Sequence, residues 1–346
     1  METPRFIAYL QAKMKAMIRA SVAWGLFLWD YVGCLVNDRH TAAPATYSRM
    51  RSLYSITKGR SAKVLSLPFQ ILHPPRYRII ASDTTSITEK IASQGYCKLD
   101  ATPEVRELAE DLHGRLSLCP VQEVLKGFEP GVFYENLDAA LKSGVHKAAR
   151  LSHDRHDVCL MPETWKLIQR LNLREIASSY LRCDPILTSV DSWHVVPLRQ
   201  RSDSKALYSA AAQTYHYDMD WIRFLKVFIN LTPAPIESGP FEYIPFSHEK
   251  KNKVYLRDGR FERLLDPGLD VAYASGNAGS TFFADTSGIH RDGRASSANR
   301  HVLQIEFAVS SFGSKFQYDE INKQCREAVR PIKNRFPSSS RMFSLF

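Results

Sequence analysis

The stretch Gln213-Thr-Tyr-His216-Tyr-Asp218-Met-Asp220-Trp221 sets an imidazole and a carboxylate two residues apart. In a strand or its exit turn, alternate side chains project to the same side, so His216 and Asp218 can reach one metal ion. A third ligand from elsewhere would complete a facial triad. Such a triad leaves the opposite coordination face open, as non-haem Fe(II) oxygenases require. The spacing alone is a weak signal, because His290-Arg-Asp292 repeats it. Gln213 suits a contact to substrate or co-substrate and, equally, an amide hydrogen-bonded behind the ligands. Asp220 reads either as a partner of the ligands or as a turn cap.

The order of the downstream segments is more specific than any one piece. Phe224-Leu-Lys-Val-Phe-Ile-Asn-Leu-Thr232 comes next, then Ser238-Gly-Pro-Phe-Glu-Tyr-Ile-Pro-Phe-Ser-His248. Ala278-Gly-Ser-Thr-Phe-Phe-Ala-Asp-Thr-Ser-Gly-Ile-His290 is third, with Arg300 ten residues beyond. Over about residues 185–310 this order resembles the phytanoyl-CoA dioxygenase family of Fe(II)/2-oxoglutarate oxygenases. One departure is PFSH, where that family more usually carries PGSH. The resemblance implies His216, Asp218 and His290 as iron ligands and Arg300 as holder of the distal carboxylate of 2-oxoglutarate. A planar guanidinium suits that task because it grips a carboxylate bidentately. Lys226 is the rival anchor, since some 2-oxoglutarate oxygenases use a lysine on the strand after HxD. The implied reaction couples decarboxylation of 2-oxoglutarate to succinate and CO2 with O2-dependent hydroxylation of a C–H bond. Halogenating relatives need an open position where Asp218 stands, so hydroxylation is the simpler expectation.

Other polar residues have plainer readings beside functional ones. Trp193 and His194 are candidates for the pocket lining, although a strand tryptophan usually belongs to the core. His248 reads as a strand end with a satisfied hydrogen bond. His153 and His156, with Asp154 and Asp157, mimic a metal cluster in composition but read as a solvated polar turn, because no strand or partner ligand frames them.

These residues need a framework, and the pattern supplies an α+β one. Thr85–Ser93, Pro103–Leu116 and Glu135–Leu151 have helical period and composition. Gly95–Leu99, Ile186–Val196, Phe224–Leu231, Phe241–Ile244, Ser280–Ala284 and Val302–Val309 are short β-rich runs between turn residues. Helices first and strands later predict a double-stranded β-helix (jelly-roll) core with supporting helices.

The net charge of +10 is uneven. Residues 1–82 carry twelve Lys/Arg against Glu2, Asp30 and Asp38, hence +9, which leaves +1 for the other 264. The chain therefore divides into a basic N-terminal segment, 1–82, and an oxygenase domain, 83–346. Within the first part, residues 4–19 have the pattern of a basic amphipathic helix. Residues 20–36 form an apolar run interrupted by Asp30, marginal for the ~20 residues that span a bilayer. Residues 4–36 read equally as a peripheral membrane attachment and as a helix packed on the domain. Residues 37–78 read as a polar connector. Six dispersed cysteines, none in CxxC pairs, fit a reducing compartment, hence a cytoplasmic protein with or without membrane association.

The substrate expected is a small molecule or a lipid-linked metabolite. A nucleic-acid demethylase fits poorly, because the catalytic part is nearly neutral and nucleic acid demands positive charge. The reading from a different class is a jelly-roll binding protein without metal, in which the three ligands are ordinary strand-end residues.

Overall fold

The computed structural model describes residues 3–37, 44–75, 82–125, 131–143, 148–198, 208, 210–249, 268–312, 325–326, 329–333 and 341–345. Four helices lead the chain: α1 (Thr3–Val36), α2 (Pro44–Ile56), α3 (Arg60–Leu72) and α4 (Ser82–Gln94). Then come β1 (Tyr96–Leu99), α5 (Pro103–Leu116), β2 (Val121–Glu123), β3 (Phe133–Tyr134), α6 (Leu137–Ser143) and β4 (Arg150–His153). Three short helices come after β4, namely α7 (Arg155–Leu160), α8 (Pro162–Arg170) and α9 (Leu173–Leu181). Among the described residues that follow are the strands β5 (Ile186–Val195), β6 (Phe224–Asn230), β7 (Glu242–Tyr243), β8 (Ala272–Tyr273), β9 (Thr281–Ala284), β10 (His290–Arg291) and β11 (Arg300–Ala308).

The result is a mixed helix and antiparallel-sheet fold. One sheet has the order β1-β9-β6-β11-β5-β4-β2-β3 and a second has the order β10-β7-β8, with every paired strand antiparallel. Trp193, Phe228 and Phe282 of the large sheet share an apolar cluster with Phe241 and Tyr243 beside and on the small one. The other face of the large sheet, through Val190, Val227, Leu303 and Ile305, packs on Leu112 of α5, Leu167 of α8 and Ile176 of α9. The period of two along a strand does this sorting. In β11, Val302 faces the small sheet while Leu303 and Ile305 face the helices.

Helix α5 forms where composition predicts it. Thr102 caps it by accepting from the Val105 N–H, Pro103 opens it and Glu104 lies in its first turn. Two other expectations are corrected. The helix expected over Glu135–Leu151 ends at Ser143, and Arg150 opens strand β4 instead. Residues 144–147 lie outside the described residues. Most of the expected connector, 37–78, is helical. In α2, Thr46, Met50 and Tyr54 are buried at a spacing of four, a stripe that the high basic charge obscures. Helix α3 carries Pro68 in its interior and still buries Ser66 and Phe69. Packing against the core outweighs the lost helical hydrogen bond there.

The apolar run of α1 is packed along one side. Phe27 meets Phe312 edge-on at 5.2 Å, Tyr31 meets Phe69 at 5.5 Å and Tyr31 Oη donates to the Leu65 carbonyl. Asp30, which interrupts the run, accepts from the Thr46 hydroxyl. Phe27, Cys34, Met50 and Phe69 thus belong to the same core as Leu303 and Phe307. No helix of the described residues is long and apolar enough to cross a membrane. The side chains of most of the 4–19 arc lie outside the described residues.

Candidate metal centre

His216 and His290 are held opposite each other by backbone. Each donates its N–H to the other's carbonyl at 3.0 Å, an isolated antiparallel bridge, and their ring centres lie 4.3 Å apart. Asp218 comes next, with its N–H on the Thr286 carbonyl at 2.9 Å. The Asp218 carboxylate lies between the two rings, Oδ1 at 3.4 Å from His216 Nε2 and Oδ2 at 3.2 Å from His290 Nε2. Both Nδ1 atoms face backbone carbonyls: His216 that of Thr214 at 2.7 Å, His290 that of Gly288 at 2.9 Å. That partner fixes the proton on Nδ1 and turns the Nε2 lone pair toward the shared space. Two imidazole nitrogens and a carboxylate, all buried and able to converge on one point, suit a transition-metal ion.

The turn that delivers His290 is braced from three sides. Asp285 Oδ1 accepts from the Ser287 N–H, Tyr180 Oη donates to Asp285 Oδ2 at 2.6 Å, and Ser247 Oγ accepts from the Ile289 N–H at 2.7 Å. Ser247 belongs to the PFSH segment. Phe246 adopts φ 64°, a left-handed conformation that glycine takes without strain. The turn therefore keeps the backbone shape that PGSH would provide, with a phenylalanine in the strained position. His248 Nε2 lies 3.0 Å from the Ala92 carbonyl, in agreement with its structural reading.

Charge around Asp218 is dense. Lys226 Nζ lies 2.7 Å from Asp218, 3.1 Å from Asp220 and 3.7 Å from Glu306, all buried. Burial pushes the Asp218 carboxyl up, but the Lys226 ammonium and then His290 override it and hold it well below the usual carboxylate range. Burial also drives Lys226 down, and Asp218, Asp220 and Glu306 reverse that and hold it well above its ordinary value. Glu306 is pushed up to about 7, by burial first and against the pull of Lys226. Asp220 is thus a partner of Lys226, which itself pairs with Asp218.

Arg300 is fully buried. Its Nε donates to the Gly239 carbonyl at 2.7 Å and its Nη2 to Asp292 at 2.5 Å, while Nη1 makes no hydrogen bond to a described residue. Asp292 also accepts from Trp193 Nε1 at 3.2 Å, and the Arg150 guanidinium stacks on the Trp193 ring at 3.7 Å. Gln213 Nε2 donates to the Gly293 carbonyl, and its buried Oε1 has no partner among the described residues. Gly239 and Gly293 let these two backbones cross. A Cβ on Gly293 would run into the Pro240 carbonyl oxygen, and Gly239 has φ 65°.

Of the residues singled out from sequence, His216, Asp218, His290 and Lys226 form one cluster. Trp193 and Arg300 meet at Asp292, two residues after His290. His194 does not join Trp193, because neighbours on a strand face opposite ways and His194 points to the helical side, beside His153 and His301. His153 is likewise no solvated turn residue: it ends β4, buried, while Asp154 caps α7 through the His156 N–H. Glu306 and the role of Asp292 went unread in the sequence. Glu306 carries no motif. Asp292 does sit in the second HxD, whose histidine is a ligand and whose aspartate pairs with the arginine.

No protein-family model and no curated protein matches this chain. Among solved structures, EctD from S. alaskensis with 2-oxoglutarate and 5-hydroxyectoine is similar with TM-score 0.44 and 13% identity, over 68% of this chain and 82% of that one. The epimerase SnoN from nogalamycin biosynthesis, in complex with Fe3+, alpha ketoglutarate and nogalamycin RO, gives 0.43 and 13% over 65% and 83%. EvdO2 from Micromonospora carbonacea var. aurantiaca complexed with 2-oxoglutarate gives 0.42 and 16% over 67% and 93%. Identities and scores this low transfer no role to any residue here.

Proposed function

We propose that this chain is a non-haem Fe(II)/2-oxoglutarate-dependent oxygenase built on a double-stranded β-helix, with His216, Asp218 and His290 as the iron ligands. One observation carries the reading: two imidazoles with Nδ1 tied to backbone carbonyls turn Nε2 onto a shared carboxylate. When bound, iron with 2-oxoglutarate and O2 supplies the oxidising power for C–H hydroxylation, with succinate and CO2 as co-products. The chain's own residues orient the reactants and exclude water. Lys226 keeps Asp218 ionised and turned toward the histidines. Asp220 and Glu306 also engage Lys226, which leaves it poorly placed to anchor a further carboxylate.

Arg300 is the better holder of the distal carboxylate of 2-oxoglutarate, because Nη1 remains for it while Gly239 and Asp292 fix the guanidinium. Gln213 Oε1 and the Trp193 ring are the adjacent groups for co-substrate or substrate. The substrate is a small molecule, or a lipid-linked one if α1 contacts a membrane surface. For that contact the exposed Leu28, Trp29 and Val32 are the relevant residues. Removal of the whole N-terminal segment is a poor test, since Phe27 and Phe69 are core. Trp29→Glu, assayed by sedimentation with anionic vesicles, is the better one: unchanged sedimentation would end the membrane reading.

The experiment for the enzyme reading is Fe(II)-dependent release of succinate from 2-oxoglutarate, in the presence of candidate substrates. His216→Ala abolishes both iron binding and turnover if it is a ligand. Loss of stability alone would favour the metal-free binding protein.

A further inference from the structure

We propose that His153, His194 and His301, with His113 beside them, form a second metal site on the helical face of the large sheet, taking a divalent zinc-class cation. The four histidines come from separate elements, namely β4, β5, β11 and α5. His194 and His301 are direct cross-strand partners with stacked rings 3.8 Å apart. Because Leu151 pairs with His194, His153 lies on that same face one diagonal step away. Helix α5 lowers His113 onto the group, its ring 5.2 Å from that of His301.

Donor separations have the size that a tetrahedral ion needs. With Zn–N bonds of about 2.0–2.1 Å, tetrahedral ligand nitrogens lie about 3.3 Å apart. Here His153 Nε2 and His194 Nε2 are 3.1 Å apart, and His113 Nδ1 and His301 Nδ1 are 2.9 Å apart. Nitrogens of His153, His194 and His301 all lie within 4.8 Å of one another.

Hydrogen bonding behind the rings prepares them as ligands. His153 Nδ1 donates to the Pro120 carbonyl at 3.2 Å, which leaves Nε2 as the lone-pair atom. Ser192 Oγ donates to the Val302 carbonyl and so accepts from His301 Nε2 at 2.8 Å, which leaves His301 Nδ1 bare. In each case the atom freed is the one facing another histidine, the arrangement by which outer partners fix the tautomer of a metal-bound imidazole. Nitrogen-only donors select zinc and its neighbours over magnesium or calcium. Pro120, whose carbonyl holds His153, lines an open hollow of about 670 Å³ together with Asp154 and Asp157, carboxylates that attract cations. Three protein nitrogens supply the donors, and His113 Nδ1, 2.9 Å from His301 Nδ1 and 3.3 Å from Ser117 Oγ, stands beside them, so that α5 borders the site.

This second site is independent of the iron reading, and the test separates the two. A chain carrying His216→Ala and His290→Ala, stripped of metal, is titrated with Zn2+ and with Co2+. One bound equivalent, the intense visible bands of tetrahedral Co2+ and a raised Tm are expected. Long-range 1H–15N spectra of the imidazoles are expected to move at His113, His153, His194 and His301 on Zn2+ addition, with no further substitution required. Adding His153→Gln and His194→Gln removes the equivalent. Native circular dichroism with no bound equivalent, or binding that leaves these four rings unmoved, overturns the proposal. Should the double variant not fold, wild-type protein decides: Zn2+ binding that moves these rings supports the second site, and binding that leaves them unmoved overturns it.

Discussion

Two histidine clusters lie on opposite faces of the large sheet, one beside β10 and β6 and the other on β4, β5 and β11. On the face toward the small sheet, Lys226 joins Asp218, Asp220 and Glu306 in one charged network, and Arg300 is paired with Asp292. On the helical face, His113, His153, His194 and His301 pack among apolar side chains and are held by neutral hydrogen bonds. Adjacent residues separate into the two worlds: Arg300 and His301 on β11, Trp193 and His194 on β5. A period of two thus lets one pair of strands serve two chemistries. The carboxylate-bearing cluster has the mixed nitrogen and oxygen donors that suit a transition metal. The imidazole-only cluster has three nitrogen donors within reach of one another and no carboxylate among them.

Breaking the first cluster has the largest effect. Asp218→Ala abolishes iron binding and succinate formation, and it leaves Lys226 facing Asp220 and Glu306 alone. Iron content and product analysis read the first effect directly. Arg300→Ala weakens 2-oxoglutarate by roughly 10–100-fold, the worth of a charge-assisted hydrogen-bonded pair. It also leaves Asp292 buried without its cation, at about 3 kcal/mol of stability. Lys226→Ala would instead raise the midpoint concentration for iron more than that for 2-oxoglutarate, and the opposite pattern would make Lys226 the anchor.

The second cluster is exposed by acid. Burial lowers the His153 pKa from 6.5 to about 4, against the opposing Pro120 hydrogen bond, and His194 and His301 are lowered well below the ordinary value, by burial first. Folding then favours the neutral ring. The stability this provides is complete above the unfolded value of 6.5 and is lost as pH falls toward 4. For His153 alone the loss is about 3 kcal/mol. Denaturant unfolding of the metal-free protein across that window measures it, and His153→Gln flattens the slope. The smallest effect belongs to the PFSH turn. Phe246→Gly relieves its positive φ and stabilises by about 1 kcal/mol, read as a rise in Tm without loss of activity.

The reactive cluster was the more legible of the two because HxD, the DT…H segment and the later arginine are local patterns in a fixed order. The strands that carry them were legible from composition: the β-rich runs Phe224–Leu231 and Val302–Val309 are visible without neighbours. The second cluster draws its histidines from four elements separated by up to 188 residues, and only strand register joins them. His153 looked solvated because Asp154, His156 and Asp157 surround it in sequence, whereas strand β4 turns it inward. Helices α2 and α3 were hidden by charge and by Pro68, since their apolar stripes are short and their stability comes from contact with α1 and the core.

The most direct test of the central claim is anaerobic titration of the metal-stripped protein with Fe(II) and 2-oxoglutarate, monitored through the visible charge-transfer band of the chelate. The expected result is a saturable band at one iron per chain, absent in His216→Ala and weakened in affinity for 2-oxoglutarate in Arg300→Ala. A folded wild-type chain that forms no such band, or a His216→Ala chain that keeps it, would contradict the assignment of His216, Asp218 and His290 as iron ligands.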